Sequence, residues 1–500
     1  MSQETAEAQS IPVSPRPAPN ARLRGAMLAA LGPRSRWLLG AAVLLILSTA
    51  LVLWADTRPG YDPYGWLVWG KLTIHANLDT NGAPSWKPLP FLVTVPFALV
   101  GHYALWLWMI LSVAVSLSGL VFAWRIAVRL TDAPPARRWA GYAAGAFAAL
   151  ALLGIRDYTH FILSAQSDTM IVSLCLAAID CQLAGRYRWA FWLWILGSLG
   201  RPEVWPFLGV YSVWAWRAFP GWRRMLGAGL VLIPLFWFGI PALTAKSAFI
   251  AGDNALHSPR ELHSNKLLGT LDRFLDLQEL PVWLAGTLAA AIAALRRQRV
   301  ILLLVAGALV WVVLEVAFVL HGYPGVPRYL FEPVAILCVL AGVFVGRVLL
   351  DATPALERFG PRLAPQIGAA LAGVIVLVFV GSLVPAARSR ERIERADLTH
   401  ERARTKEINR LHTVISRIGT ARLLSCGQPN IPIGYQSIFA WYTGLKIGAL
   451  YVSQKHERLH PSPLVNIYPL KDGWKVFPSH IHGAAARRCH GLRFSLRFKG

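Results

Sequence analysis

The chain has 500 residues, 55% of them hydrophobic and only 15% charged, and its mean hydropathy of +0.45 excludes an ordinary soluble domain. A net charge of +24 would suggest nucleic acid as the partner of a soluble chain, but here Arg and Lys cluster between apolar runs, where membrane topology accounts for them. The fold class that follows is an all-α polytopic membrane protein with no nucleic-acid partner.

Residues 1–36 are rich in Pro, Ala, Ser and Arg without apolar periodicity, which predicts a disordered, basic cytoplasmic leader. The run 37–55 has about the ~20 residues that a bilayer-crossing helix needs and is longer than a signal-peptide core. Arg22, Arg24, Arg34 and Arg36 hold the N-terminus inside, so the polar stretch 56–90 falls outside. Residues 91–100 are too short and proline-flanked to span and are expected along the outer leaflet. Further spans are expected at 103–127, 139–155, 168–185, 189–199, 202–216, 225–243, 281–295, 300–320, 329–350 and 365–387, about eleven in all.

With these spans every short basic connection is cytoplasmic, from Arg125, Arg129, Arg137 and Arg138 to Arg358 and Arg362. The agreement requires a break at Gly200-Arg-Pro-Glu203, where Pro202 removes a helix hydrogen bond. The transmembrane domain thus covers 37–387, with the C-terminus outside. Residues 388–412 read as a charged helical connector. Residues 413–500 read as a small extracytoplasmic α/β domain with a basic tail, through a strand at 421–426, a helix at 437–444 and a strand at 464–469. Cys426 and Cys489 lie in that exported part and are able to pair there, a free buried thiol being the alternative.

Several polar groups stand where the chain meets the membrane. Asp62, just past the first span, is placed to take a proton from a hydroxyl attacking a lipid-linked substrate, or is a solvated loop residue. Asp79, before Asn81-Gly82, has the composition of a turn. Lys87 sits where the chain re-enters the membrane, to meet a lipid phosphate or to snorkel to headgroups. Arg201 and Glu203, at the broken helix, line a polar cavity or neutralise each other. In His321-Gly-Tyr-Pro-Gly-Val-Pro-Arg-Tyr329 two prolines hold His321 and Arg328 near the outer surface, to bind an anionic headgroup or to anchor. Arg156, Asp157, His160, Gln166 and Asp168 form a further outer cluster in which Asp168 is a second acceptor-side or metal-side carboxylate. His257 and His263 lack the spacing that places two zinc ligands on one helix face.

Taken together, Tyr61-Asp-Pro-Tyr-Gly-Trp66, Ser85-Trp-Lys-Pro-Leu-Pro90 and Gly200-Arg-Pro-Glu-Val-Trp-Pro-Phe207 resemble the GT-C class of membrane glycosyltransferases. That class includes the protein O-mannosyltransferases and the aminoarabinose transferase of lipid A. The resemblance covers about residues 37–390 in architecture. It implies a GT-C-like fold in a bacterial plasma membrane, a hexosyl or pentosyl group carried on a polyprenyl phosphate, and a glycan, lipid or protein acceptor. It further implies Asp62 as the base and a basic residue of a late outer loop, Arg328 or His321, on the phosphate, with Arg201 and Lys87 as additional cations. Pro63 departs from the Asp-Glu pair of the mannosyltransferases, which leaves the acceptor open and Asp79 as a rival base. Some members of the class use a divalent metal. A sugar phosphate already carries a good leaving group, so one base and one cation suffice for an inverting displacement. The competing readings are a transporter or flippase of lipid-linked glycans, which would show paired broken helices, and a non-catalytic envelope scaffold.

Overall fold

The structure, a computed structural model, describes residues 32–82, 84–256, 260–263, 265–357, 364–452, 463–471, 473–479, 489, 492 and 494–497. The expected leader up to residue 31, His257, Arg358, Arg362 and most of the basic tail lie outside these residues.

Helix α1 (Pro33–Ala55) stops where Asp56 turns into the left-handed region at φ 50°. It is followed by α2 (Tyr61–Ile74), α3 (Pro88–Ala98), α4 (Ala104–Thr131), α5 (Arg138–Leu153), α6 (Tyr158–Leu163) and α7 (Ser167–Leu183). Next come α8 (Tyr187–Gly200), α9 (Trp205–Ala218), α10 (Arg223–Pro234), α11 (Lys266–Leu275) and α12 (Leu280–Leu295). The last long helices are α13 (Arg299–Leu320), α14 (Phe331–Glu357) and α15 (Ala364–Ile418). Among the described residues, six segments are long and apolar enough to cross a membrane: Arg34–Ala55, Gly101–Thr131, Pro220–Thr244, Arg299–Leu320, Pro327–Ala352 and Ile367–Ile418. A seventh results if α11 and α12, bent by 96°, count as one broken span. The chain is thus a polytopic membrane protein. A count of about eleven also needs α5, α7, α8, α9 and α12, each of 17 residues or fewer.

The bundle closes around α14, the most buried of the six spans. Close approach is set by small residues: α5 buries Ala140, Gly141, Ala144, Gly145 and Ala148, and a Cβ at Gly342 of α14 would lie 2.8 Å from the Cβ of Ala148. This packing fixes the start of α14 and the loop before it. Between α8 and α9 the helix breaks at the expected place, with Arg201 extended (φ −150°, ψ 134°) and a 3-10 turn over Pro202–Val204. Proline excludes the residue before it from the helical region, so Arg201 is forced outward from the helix path.

Helix α2 is a largely buried element: ten of its 14 residues are buried, Asp62 among them. It packs against α3 at Gly70, where a Cβ would stand 2.6 Å from the Thr94 carbonyl. Helix α15 continues unbroken through Pro385 and across residue 387, so span and connector form one rod of 55 residues.

Beyond it lie α16 (Thr420–Leu424), β1 (Gln428–Asn430), α17 (Gln436–Thr443), β2 (Leu464–Leu470), β3 (Gly473–Ser479) and β4 (Phe494–Arg497). The sheet runs in the order β1-β2-β3-β4, with β1 parallel to β2 and the other pairs antiparallel. The strand expected at 421–426 is instead helix α16, and strand pairing begins at Gln428. Gly419 (φ 83°) and Gly427 (φ 144°) bracket a mixed segment too short for periodicity to separate helix from strand. Cys426 and Cys489 form a disulfide with Cα atoms 5.7 Å apart, and α17 packs on α2.

Candidate active site

Lys87, Asp168, Arg201 and Arg328 come from four separate stretches and meet inside the protein. Asp168 lies in the first turn of α7 and is fully buried. Its Oδ1 accepts a hydrogen bond from Arg201 Nη2 and lies 3.6 Å from Arg328 Nε and 3.9 Å from Lys87 Nζ. Lys87 stands immediately before Pro88 of α3, and its Nζ donates to Ser167 Oγ at 3.1 Å and lies 5.8 Å from the Trp66 ring centroid. Burial pulls its pKa below the ordinary lysine value, against the opposing charge of Asp168.

Arg201 is held by its extended backbone at the break and is 2% exposed. Its Nη1 lies 3.7 Å from Glu332 Oε2, Nη2 donates to the Arg328 carbonyl at 3.3 Å, and the guanidinium lies over the Tyr329 ring at 4.7 Å. Arg328 sits in the short 3-10 turn over Pro327–Leu330 that leads into α14. Asp62, 7% exposed in the first turn of α2, is within Coulombic reach of both Lys87 and Arg328. The Tyr61 phenol lies against the same carboxylate, which together with burial pushes the phenol's ionisation upward.

Arg201 and Glu203, read together from the sequence as one pair, make different contacts. The ion pairs of Arg201 run to Asp168 and Glu332, while Glu203 faces Glu315 of α13 and acts on Arg201 only at longer range. Two other candidates are not brought into the cluster. Asp79 accepts from the Asn81 N–H at 2.9 Å and from the Asn81 side-chain amide at 2.8 Å, as its turn composition suggested. His321 is exposed and stacks on Tyr323, with ring centroids 6.2 Å apart. Ser167, Glu315, Tyr329 and Glu332 escaped sequence reasoning. Glu315 and Glu332 carried a usable signal, since an ionisable residue inside an apolar run is expensive.

The cluster keeps unused hydrogen-bonding capacity: Asp168 Oδ2, Arg201 Nε and Nη1, Arg328 Nε, Glu203 Oε2 and both Glu332 carboxylate oxygens are buried without a hydrogen-bond partner. Such groups are costly unless a polar ligand or water meets them. Beside them an apolar cavity of about 200 Å³ is lined by Val172, Leu176, Trp194, Phe207, Leu304 and Trp311, and Glu332 is its charged wall. Glu332 therefore joins a polar cation cluster to an apolar slot, an arrangement suited to a ligand with an anionic head and a hydrocarbon tail.

No family model and no curated protein matches the chain. Among solved structures, the chain is similar to ArnT from Cupriavidus metallidurans in the apo state, with 17% identity, a TM-score of 0.50, and 87% of this chain and 93% of that one covered. The chain adopts the fold of that structure. A second structure, ArnT from the same organism bound to undecaprenyl phosphate, matches with 16% identity and a TM-score of 0.47 over the same shares. Within this fold, Lys87 of the cluster reaches the Trp66 ring of α2, the helix on which α17 packs.

Proposed function

We propose that the protein is a membrane glycosyltransferase that moves a sugar from a polyprenyl-phosphate donor to an acceptor outside a bacterial plasma membrane. The observation that carries this reading is the meeting of Lys87, Arg201 and Arg328 beside Asp62, with an apolar cavity opening at Glu332. Three cations offer a phosphate more donors than a structural ion pair with Asp168 consumes. The apolar cavity receives the first part of the prenyl tail.

In this scheme the cations hold the phosphate and Asp62 faces the anomeric carbon from the acceptor side. The Asp62 carboxylate takes the proton of the acceptor hydroxyl as the new C1–O bond forms. The bond from C1 to the phosphate oxygen breaks, and its electron pair leaves on the phosphate, where Arg328, Arg201 and Lys87 stabilise the charge. One displacement inverts the anomeric centre. Asp168 acts as a positioning residue that holds the three cations together. The reading includes about eleven crossings with the N-terminus inside and the C-terminus outside. The Cys426–Cys489 disulfide supports that orientation, since such bonds persist on the oxidising side of the membrane.

The test is sugar transfer by purified protein from a panel of radiolabelled polyprenyl-phosphate sugars. Asp62→Asn should lower the rate by about 10²–10⁴-fold while melting as the unaltered protein does. Unchanged transfer in that variant would remove Asp62 as the base.

A further inference from the structure

Away from the cation cluster, α6 and α15 bring three ligating side chains together. His160 of α6 and Asp397 and Glu401 of α15 place one ligand atom each within 4.8 Å of one another. His160 Nδ1 lies 2.8 Å from Asp397 Oδ2. Asp397 and Glu401 are four residues apart on one helix, so a single face presents both carboxylates. The three line a small cavity with Thr57, Arg58 and Ser164. The Ser164 hydroxyl belongs to a residue only 5% exposed and has no hydrogen-bond partner.

The charges around this point are unbalanced. Asp157 and Glu394 add to Asp397 and Glu401 around His160. Against them stand Arg404, 3.2 Å from Glu401, Arg58, whose guanidinium lies over the Trp106 ring at 5.1 Å, and the exposed His400, whose Nδ1 lies 3.6 Å from Glu401 Oε1.

We propose that His160, Asp397 and Glu401 bind a single divalent transition cation of the zinc or manganese type, with the Ser164 hydroxyl beside it. One imidazole nitrogen with two carboxylate oxygens suits such ions better than magnesium, which prefers oxygen alone. The ion is structural. It clamps α15 to the segment that runs from α6 into Asp168, four residues beyond Ser164, and so ties the exported domain to the cation cluster. This site stands independently of the glycosyltransferase reading.

The test uses the full-length protein in detergent, stripped with a chelator and titrated with zinc, manganese or magnesium chloride in a calorimeter, with thermal unfolding in parallel. The expected result is one zinc or manganese per chain, a higher Tm with metal, and affinity lowered by about tenfold or more in His160→Ala and Glu401→Gln. Undiminished zinc affinity in both variants would overturn the proposal, as would an equal response to magnesium or no binding at micromolar zinc. If His160→Ala fails to fold, Glu401→Gln, a near-isosteric change at a half-buried position, decides the matter alone.

Discussion

Replacing Asp168 by Asn removes one charge and almost no volume from the point where three cations meet. Two of them lie 3.6 and 3.9 Å from Oδ1 and the third, Arg201, is in direct contact. At an effective dielectric of about 20, each such contact is worth roughly 4 kcal/mol of attraction before desolvation. Breaking a fully buried pair by deleting one partner costs about 3–5 kcal/mol, because the remaining charges stay buried and now repel. Glu332, 3.7 Å from Arg201, compensates only one of the three. Asp168→Asn should therefore lower the melting temperature by several degrees, read from the fluorescence of the chain's 21 tryptophans in detergent. Added polyprenyl phosphate should recover part of the loss, since its anionic head substitutes for the missing carboxylate. A variant that melts with the unaltered protein would refute the argument. So would one that loses phosphate binding without any loss of stability, because Asp168 would then contact the ligand rather than hold the cations.

Two further outcomes follow from charge and covalent structure. Lys87 is pulled below its ordinary value of 10.5 by burial, so it is charged only below that lowered pKa and loses its proton sooner as pH rises; donor affinity should fall on an alkaline limb that begins below 10.5, and Lys87→Arg should flatten that limb. Reduction of the Cys426–Cys489 bond, whose partners are 63 residues apart, should weaken the sheet region that follows α15 by about 4 kcal/mol on the loop-entropy account, visible as faster proteolysis there than in the helical bundle.

Much of the cluster was legible because charges in an apolar chain are expensive and therefore few. Lys87, Arg201 and Arg328 each stood out beside a proline at the end of an apolar run, and each reaches Asp168. The break at Arg201 was readable from local chemistry alone. What the sequence could not show was partner choice. Glu203 is two residues from Arg201, yet the direction of the chain through the 3-10 turn sends it toward Glu315, while the distant Glu332 meets the arginine. The length of α15 was hidden for a related reason: the change from apolar to charged residues at 388 marks a change of solvent, and helical hydrogen bonding continues across it. Only packing against the other helices distinguishes a buried α2 from an interfacial one.

The rod formed by α15 also sets an order of assembly. Its Arg402 donates to the carbonyls of Trp54 and Ala55 at the end of α1, and its Thr405 hydroxyl accepts the Arg58 N–H at 2.7 Å, a contact between residues 347 positions apart. During synthesis the stretch leading to Asp62 therefore waits for residue 405 to leave the ribosome, on the order of tens of seconds at ordinary elongation rates. The carboxylate proposed as the base gains this support only once residue 405 has been made, so a product terminated before it would carry the residues of the site without the scaffold that aligns them.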